Sequence, residues 1–243
     1  RELTTLQSIL QNQIEKFGQH FFKEGSKVIP GNIGYSQLYF CVQLNNNFQG
    51  IPIEEYTDQL VGTTITGKNS GVKAVVDKVL KAADSEKGNT TLYINYLNSS
   101  TTNNSTQTFS DGEELSCDTT ITSGLLGNNS IAPGDSFAVT FATAAAQTGS
   151  SFQIQDGIYF IRGNFINVAT ETLILDQYGT TPSYRVGLFV NEQIINADLD
   201  ESLNDNSQGY NNFSAPGADR LKITVNLFKK SLTDFDDNNF VQL

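Results

Sequence analysis

Apolar and polar positions along the chain follow two spacings, a helical one at the start and a strand-like one afterwards. In the first 26 residues the apolar positions recur at intervals of three and four, which predicts one amphipathic helix. Gly25 and the pair Pro30-Gly31 predict the end of this helix and a turn. The helix has a narrow apolar seam, which consists of Leu3, Leu6, Leu10, Ile14, Phe17 and Phe21.

Two packings of the helical seam fit the pattern, and both stay open at this point. In a homo-oligomer the seam would meet its own copies as a coiled coil, although it covers only about three heptads. Alternatively, the helix packs on the β-domain of its own chain. The first packing predicts an assembly interface along the seam, and the second predicts a seam that is buried within one molecule.

From Tyr35 onward the alternation is that of β-strands. The clearest examples are SQLYFCVQL, YRVGLFVNEQII and RLKITVNLFKK, in which every second residue is apolar. Residues 60–84 fit either a helical stripe or strands, and the glycines at 62, 67 and 71 favour strands. DGIYFIRGNFINVATETLILD, residues 156–176, predicts two strands, the first covered on both faces, with a bulge or bend at Gly163.

These elements predict a mainly β fold with one N-terminal helix, a small β-unit and a β-sandwich-like domain. We expect the helix, residues 1–30, to serve in oligomerisation or docking. The small β-domain should span 31–122 and the second β-domain 123–243. The boundary between the two β-domains falls in TSGLLGNNSIAPGDS, which is rich in Gly, Asn and Pro.

The charge and the lengths of the apolar runs argue against two classes of partner. The 243 residues carry a net charge of −11, and the pI is about 4.4, which disfavours nucleic acid because phosphate contacts need Lys and Arg. No apolar run approaches the roughly 20 residues that span a bilayer, so we expect no membrane partner. Cys41 and Cys117 lack the spacing of a metal site, and two free thiols are favoured over a disulfide.

Catalytic chemistry finds little support in the residues. The single histidine, His20, lies on the predicted helix, and no Gly-x-Ser-x-Gly elbow accompanies it. No Walker loop, dinucleotide fingerprint or His-Glu-x-x-His motif occurs. The acidic run DLDESLNDN, residues 198–206, lacks the glycine and closing glutamate of an EF-hand loop, so a solvated loop is favoured. We therefore expect no catalytic residues, no cofactor and no metal.

Several long segments resemble a family of virion structural proteins from contractile-tailed marine cyanophages. They are RELTTLQSILQNQIEKFGQHFFKEGSKVIPG at the start, and DGIYFIRGNFINVATETLILDQY, PSYRVGLFV and SLNDNSQGYNNFSAPGADRLKI in the second half. The resemblance covers most of the chain and is weakest at 98–106 and 118–150. It implies a tail-fibre or baseplate-associated protein, located in the phage tail, with an N-terminal docking portion and a distal portion beyond this chain.

The resemblance also implies what the chain contacts. Its expected partners are copies of itself, as a homotrimer, and other phage tail or baseplate proteins, and the family brings no catalytic residues. The alternative function is a host-surface or carbohydrate-binding fibre module. Besides the helical seam, a second candidate contact is either a binding loop or an ordinary strand connection, and it includes Tyr210, Asn212, Phe213, Pro216, Gly217 and Arg220.

Overall fold

The protein is mainly β with one long helix, as the sequence predicts. The structure, a computed structural model, describes residues 2–29, 31–98, 105–124 and 130–243, with side chains on the helix from residue 5 onward. The elements are α1 Glu2–Phe21, β1 Lys27–Ile29, β2 Ile33–Gln43, β3 Asn47–Phe48, β4 Ile51–Pro52, β5 Thr64–Gly67, β6 Lys73–Leu80, β7 Thr91–Asn98, β8 Glu114–Cys117, β9 Ile121–Thr122, β10 Ser130–Ile131, β11 Ser136–Val139, β12 Ala146–Ile154, β13 Gly157–Ile161, β14 Asn164–Val168, β15 Glu171–Asp176, β16 Tyr184–Ile195, β17 Arg220–Ser231 and β18 Phe240–Gln242.

The chain divides into two compact units whose limits differ from the predicted segments. The terminal unit contains Arg1–Gly34, Phe152–Leu173 and Ser183–Leu243, and the central unit contains Tyr35–Ser151 and Ile174–Pro182. The predicted helical segment 1–30 therefore groups with the last strands of the chain. The predicted boundary between 122 and 123 falls inside the central unit. The Gly-, Asn- and Pro-rich connection is therefore not a limit between the two units.

Most strands of the central unit belong to an eight-stranded sheet with the order β11-β8-β5-β6-β7-β2-β12-β15, in which β12 and β15 lie only partly within this unit. The ambiguous residues 60–84 form the strands β5 and β6, which pair antiparallel with each other, so the strand prediction is confirmed. One face of the sheet covers a core that includes the fully buried side chains of Leu44, Ile65 and Phe137. Part of the predicted soft connection, residues 125–129, lies outside the described residues, as do residues 99–104 of the predicted loop tip.

A buried carboxylate fixes two turns of the central unit. Glu113 is fully buried, and its Oε2 accepts the backbone N–H groups of Asn69 and Ser70 at 3.1 and 2.9 Å. Its Oε1 accepts the backbone N–H of Ser110 at 2.6 Å and the Ser70 hydroxyl at 3.0 Å. A buried charge is costly unless hydrogen bonds satisfy it. These four donors supply that compensation and hold the 67–71 turn against residue 110.

The segment 174–182 is held in the central unit by two side chains. Gln177 Oε1 accepts the backbone N–H of Glu86 at 2.7 Å, and Gln177 Nε2 donates to the carbonyl of Asp84 at 2.8 Å. The hydroxyl of Tyr178 lies 2.8 Å from that of Thr91. The chain thus enters this unit a second time after residue 151, through specific polar contacts with the β6–β7 connection.

The terminal unit has two three-stranded sheets, ordered β1-β13-β14 and β17-β16-β18. Side chains from both sheets form one buried cluster, with Ile161 from the first sheet and Leu188 and Leu227 from the second. Tyr159 is also fully buried in this cluster, and its hydroxyl has no hydrogen-bond partner within the described part of the chain. The two sheets therefore share a single apolar core.

Residues 156–176 form three strands, whereas the sequence predicts two. β13 is largely buried on both faces, as expected, but Gly163 belongs to a tight hairpin turn rather than a bulge. Arg162 and Gly163 have φ values of 48° and 75°, and positive φ at both central residues is the mark of a two-residue type I′ hairpin. The arginine hides this turn, because Asn or Asp is the usual first residue there.

β16 and β17 form a twelve-pair antiparallel ribbon without a register shift, from Tyr184↔Ser231 to Ile195↔Arg220. The core of the terminal unit covers most of the ribbon: Leu188 and Val190 are buried, and Ile223 and Val225 pack against that core. The far end of the ribbon extends past the core, and the paired side chains of Ile194 and Leu221 are more than half exposed. The alternation of apolar residues therefore continues along the ribbon beyond the part that the core covers.

An arginine fixes the segment that follows the ribbon. Arg185 Nη2 donates to Asp237 Oδ2 at 2.6 Å, and Nη1 donates to the carbonyl of Asp234 at 2.6 Å. Its guanidinium also lies over the ring of Phe240, 5.4 Å from the ring centroid. This ion pair holds the pKa of Asp237 below its ordinary value, and it closes the connection between β17 and β18.

Candidate functional site

Helix α1 is fixed to the terminal unit through one face. Gly18 packs against Phe160 so closely that a Cβ there would lie 2.2 Å from a ring carbon. Gln11 Nε2 donates to Asn164 Oδ1 at 2.9 Å, on β14. Phe22, just after the helix, meets the ring of Phe160 at a centroid distance of 6.0 Å. These contacts orient the helix and leave the rest of its circumference facing outward.

The predicted apolar seam lies on the outward side of the helix. Five of its six residues have described side chains, and all five are exposed; the Leu3 side chain lies outside the described residues. Ile9, three residues after Leu6, joins the same surface, although the predicted seam does not include it. We call this surface the α1 stripe, with exposed fractions of 54% for Leu6, 50% for Ile9, 50% for Leu10, 47% for Ile14, 59% for Phe17 and 69% for Phe21.

The area of the α1 stripe is large for a surface that faces solvent. Half-exposed side chains of this size offer on the order of 600 Å² together, and the largest apolar patch on a typical monomer is itself about 300–600 Å² and often functional. Phe17 and Phe21 already contact each other, with ring centroids 4.7 Å apart. Next to them, His20 Nδ1 lies 2.6 Å from the carbonyl of Lys16, so the ring is tied to its own helix.

The candidate contact loop between β16 and β17 is braced by one aspartate. Asp205 accepts the side-chain N–H of Asn212 at 2.7 Å and the backbone N–H of Ser207 at 2.9 Å. The Ser207 hydroxyl also donates to it, and the Asp205 carbonyl accepts the N–H of Ser214 at 2.8 Å. Hydrogen bonds from Ser207 and then Asn212 hold the pKa of Asp205 below its ordinary value. Asn212 is thus part of the brace, and Asp205 is the residue that the sequence did not single out for this loop.

Two of the predicted contact residues close the base of the loop. Gly217 donates its N–H to the carbonyl of Leu203 at 3.0 Å, and a Cβ on this glycine would lie 2.2 Å from that oxygen. Pro216 forms an isolated β-bridge with Asn204. No larger residue fits at position 217 without moving the backbone. Pro216 and Gly217 are therefore explained by the backbone contacts at the base of the loop.

Three other members of the predicted contact loop present their side chains to solvent. Tyr210 is 73% exposed and Phe213 is 49% exposed, at the tip of the loop. Arg220 is exposed at the start of β17. Near it, the pKa of Asp200 lies below its ordinary value, chiefly through hydrogen bonds from Ser202 and then through the positive charge of Arg220. The loop is therefore a braced platform with two aromatic rings at its tip.

A groove lies between α1 and the free side of β17, within the terminal unit. Its volume is about 820 Å³, which is within the range of ligand-binding clefts. The helical wall is polar, and the strand wall contributes Leu221 and Ile223 beside Arg220. The helical side consists of Gln7, Ser8, Gln11, Asn12 and Glu15. Each wall follows a clear pattern in the sequence, but these patterns do not indicate that the two walls lie side by side.

Metal ligands and thiols can be judged directly from the environment of the described residues. Within residues 2–29, 31–98, 105–124 and 130–243, no group of three or more His, Cys, Asp or Glu side chains could hold a metal ion. Both cysteines are free and buried, and burial raises the pKa of Cys41 to about 12, so its thiol stays protonated at neutral pH. In the same part of the chain, no helix has the length and apolar character needed to cross a membrane.

Comparison with known proteins gives one family match. A family model described as Domain of unknown function (DUF4815) matches residues 113–237. That range contains the contact loop, the ribbon and the hairpin β13–β14, but not α1. No curated protein and no solved structure matches the chain significantly.

Proposed function

The chain belongs to the family described as Domain of unknown function (DUF4815), and we propose that it is a structural, non-enzymatic component of a phage tail. It would act as a tail-fibre or baseplate attachment protein that mediates assembly of the virion. The proposal is supported by the resemblance of the opening segment, and of three segments in the second half, to structural proteins of contractile-tailed cyanophages. Its partners would be copies of itself and neighbouring tail or baseplate proteins.

The observation that carries the proposal is the exposed α1 stripe. The helix cannot roll this stripe inward, because Gly18 and Gln11 fix a different face to the terminal unit. A surface of about 600 Å² per chain approaches the roughly 800 Å² per partner of a standard interface. Burying one Leu or Phe side chain contributes roughly 1.5–3 kcal/mol. Three copies of the stripe around one axis would therefore bury it and hold a homotrimer together.

The spacing of the stripe suggests how such helices would run. Leu6 and Phe17 are eleven residues apart, as are Leu10 and Phe21. An eleven-residue apolar repeat matches a straight helix better than a heptad does and favours a slightly right-handed bundle. The proposed assembly is therefore a short, nearly straight helical bundle. A β-sandwich-like packing of the second half belongs to the same proposal, and it is supported by the core that the two three-stranded sheets share.

The test is the mass of the full chain in solution, measured by size exclusion with light scattering. We expect a trimer for the natural sequence and a monomer for Leu6→Asp combined with Leu10→Asp, with an unchanged β-type circular dichroism spectrum. Ser8→Asp combined with Asn12→Asp is the matched control, because it adds the same charges at the same spacing outside the stripe. A monomeric natural chain, or an unchanged mass in the first variant, would contradict assembly through α1.

A host-surface or carbohydrate-binding module is the second candidate, favoured by the aromatic tip of the contact loop. Tyr210 and Phe213 are exposed on a loop that Asp205 braces, and aromatic side chains with a polar handle are common at binding surfaces. A glycan array would show selective binding that Tyr210→Ala combined with Phe213→Ala removes. Tyr35→Ala, which removes an exposed ring outside the loop, should leave binding intact. An array without selective binding would reject this function.

A further inference from the structure

The free edge of β17 carries backbone groups that the fold does not pair. β17 pairs with β16 on one side, and in the described part of the chain no strand pairs with its other side. The N–H of Leu227 donates to the carboxylate of Glu171 at 2.7 Å, so it points away from β16. In an antiparallel pair this orientation recurs at every second residue. Because the ribbon has no register shift, Val225, Ile223 and Leu221 also direct their N–H and C=O groups away from β16.

The opposite strand confirms this assignment of directions. Val190, whose register partner is Val225, donates its N–H to the carbonyl of Asn239, on the side of β18. The backbone N–H and C=O groups of Val190 and Val225 therefore point away from each other's strand. Leu221 and Ile223, the two outer residues of the unpaired set, line the groove beside α1 together with Arg220.

We propose that this groove binds an extended strand of another polypeptide, which adds to the edge of β17. In β-augmentation, main-chain hydrogen bonds to a sheet edge supply affinity, and neighbouring side chains select the sequence. The open edge from Leu221 to Val225 accommodates a segment of about five residues, or roughly 17 Å. The amide and hydroxyl groups on the helical wall, such as Gln7 and Asn12, then face one side of the added strand.

The side chains around the edge define the chemistry of the partner strand. Residues of the added strand on the face of Leu221 and Ile223 meet apolar side chains, so alternate positions should be apolar. Residues on the other face lie beside Arg220 and Lys222, which are exposed, and opposite charges across strands attract. Asp200 is a nearby acidic competitor for these cations, and Glu15 and Asp219 also line the groove. Glu15 lies on the helical wall and Asp219 shares the alternation of Leu221, so acidic residues of the added strand fit only the face of Arg220 and Lys222. The partner is therefore a strand with apolar and acidic residues in alternation.

The first experiment measures which synthetic peptides bind the full chain by calorimetry. The probe is an acetylated, amidated hexapeptide that alternates glutamate and valine, and the control replaces glutamate with lysine. We expect the acidic peptide to bind at least about tenfold more tightly. Arg220→Glu combined with Lys222→Glu should invert this preference without changing the circular dichroism spectrum, because both side chains are exposed. Equal affinity of the two peptides, or a preference that the variant leaves unchanged, overturns the proposal.

A second pair of measurements tests the backbone and the source of the strand. An acidic probe methylated on alternate backbone nitrogens keeps its side chains but loses donors, so at least one of its two methylation registers should lose binding. Ile223→Pro removes an edge N–H that β16 does not use, a substitution that edge strands tolerate, and it should also abolish binding. If the natural chain is a dimer that Ile223→Pro converts to a monomer, a second copy fills the groove and the acidic-partner proposal fails. The variant with Leu6→Asp and Leu10→Asp should bind the probe normally, which separates this inference from assembly through α1.

Discussion

Glu171 Oε2 accepts the backbone N–H of Leu227 at 2.7 Å. The bond is made between a side chain of β15 and the free edge of β17, where a neighbouring strand would otherwise supply the acceptor. Unpaired edge groups invite other strands, and here a carboxylate satisfies the edge at its core end. At Ile223 and Leu221, which precede Leu227 on the same strand, no such acceptor is present among the described residues.

Glu171→Ala should destabilise the chain by about 1–3 kcal/mol, because it leaves the partly buried N–H of Leu227 without an acceptor. Glu171→Gln keeps a side-chain oxygen at the same distance and should cost less. Chemical denaturation of both variants measures the two free energies of unfolding. Equal losses for Ala and Gln would show that the hydrogen bond contributes nothing beyond side-chain packing.

Glu113→Gln should cost on the order of 3 kcal/mol or more, since an amide offers one acceptor oxygen where the carboxylate offers two and places an NH₂ against backbone donors. The fully buried Glu113 accepts four hydrogen bonds, from Asn69, Ser110 and twice from Ser70. The neighbouring Glu114 is exposed, so Glu114→Gln is the matched control and should stay within about 0.5 kcal/mol of the natural chain. Urea unfolding compares the two variants, and similar losses would argue against the role of the buried carboxylate.

Gly18→Ala should destabilise the terminal unit by about 1–3 kcal/mol, because the added Cβ would lie 2.2 Å from the buried ring of Phe160. That loss opposes and exceeds the gain of about 1 kcal/mol that alanine brings to a helix. Gly34→Ala is the control, since no atom lies within 4 Å of its added Cβ. Thermal unfolding measures both changes. A more stable Gly18→Ala variant would mean that α1 packs less closely on Phe160 than the contact distance states.

Acid should weaken the connection between β17 and β18. Pairing with Arg185 lowers the pKa of Asp237 in the folded chain, so its contribution is present above the unfolded pKa of about 3.9. That contribution is lost as the pH falls through the lower folded pKa, when the unfolded chain binds the proton more readily. Melting temperatures at neutral pH and near pH 3 measure the loss. Asp237→Asn should melt lower at neutral pH and show a smaller drop in acid; an unchanged drop would contradict the pairing.

The sequence predicts the helix, the apolar seam and most strands, because these follow from local spacing. It also favours strands over a helix at residues 60–84, where glycines decide. What it misses depends on contacts between distant residues. Nothing in the sequence distinguishes Glu113 from the other acidic residues, because its contact with Ser70 depends on the fold. In the same way, the sequence does not predict that Gly18 packs against Phe160. The groove beside α1 is hidden for the same reason, since its walls lie more than 200 residues apart along the chain.

The division of the chain into units has a consequence for the order of events during synthesis. All residues of the central unit have been made once Pro182 is added, whereas the terminal unit needs both α1 and the last strands, down to β18. Helix α1 is therefore synthesised long before the last strands of its own unit. The residues of the central unit are thus available to fold before those of the terminal unit are complete.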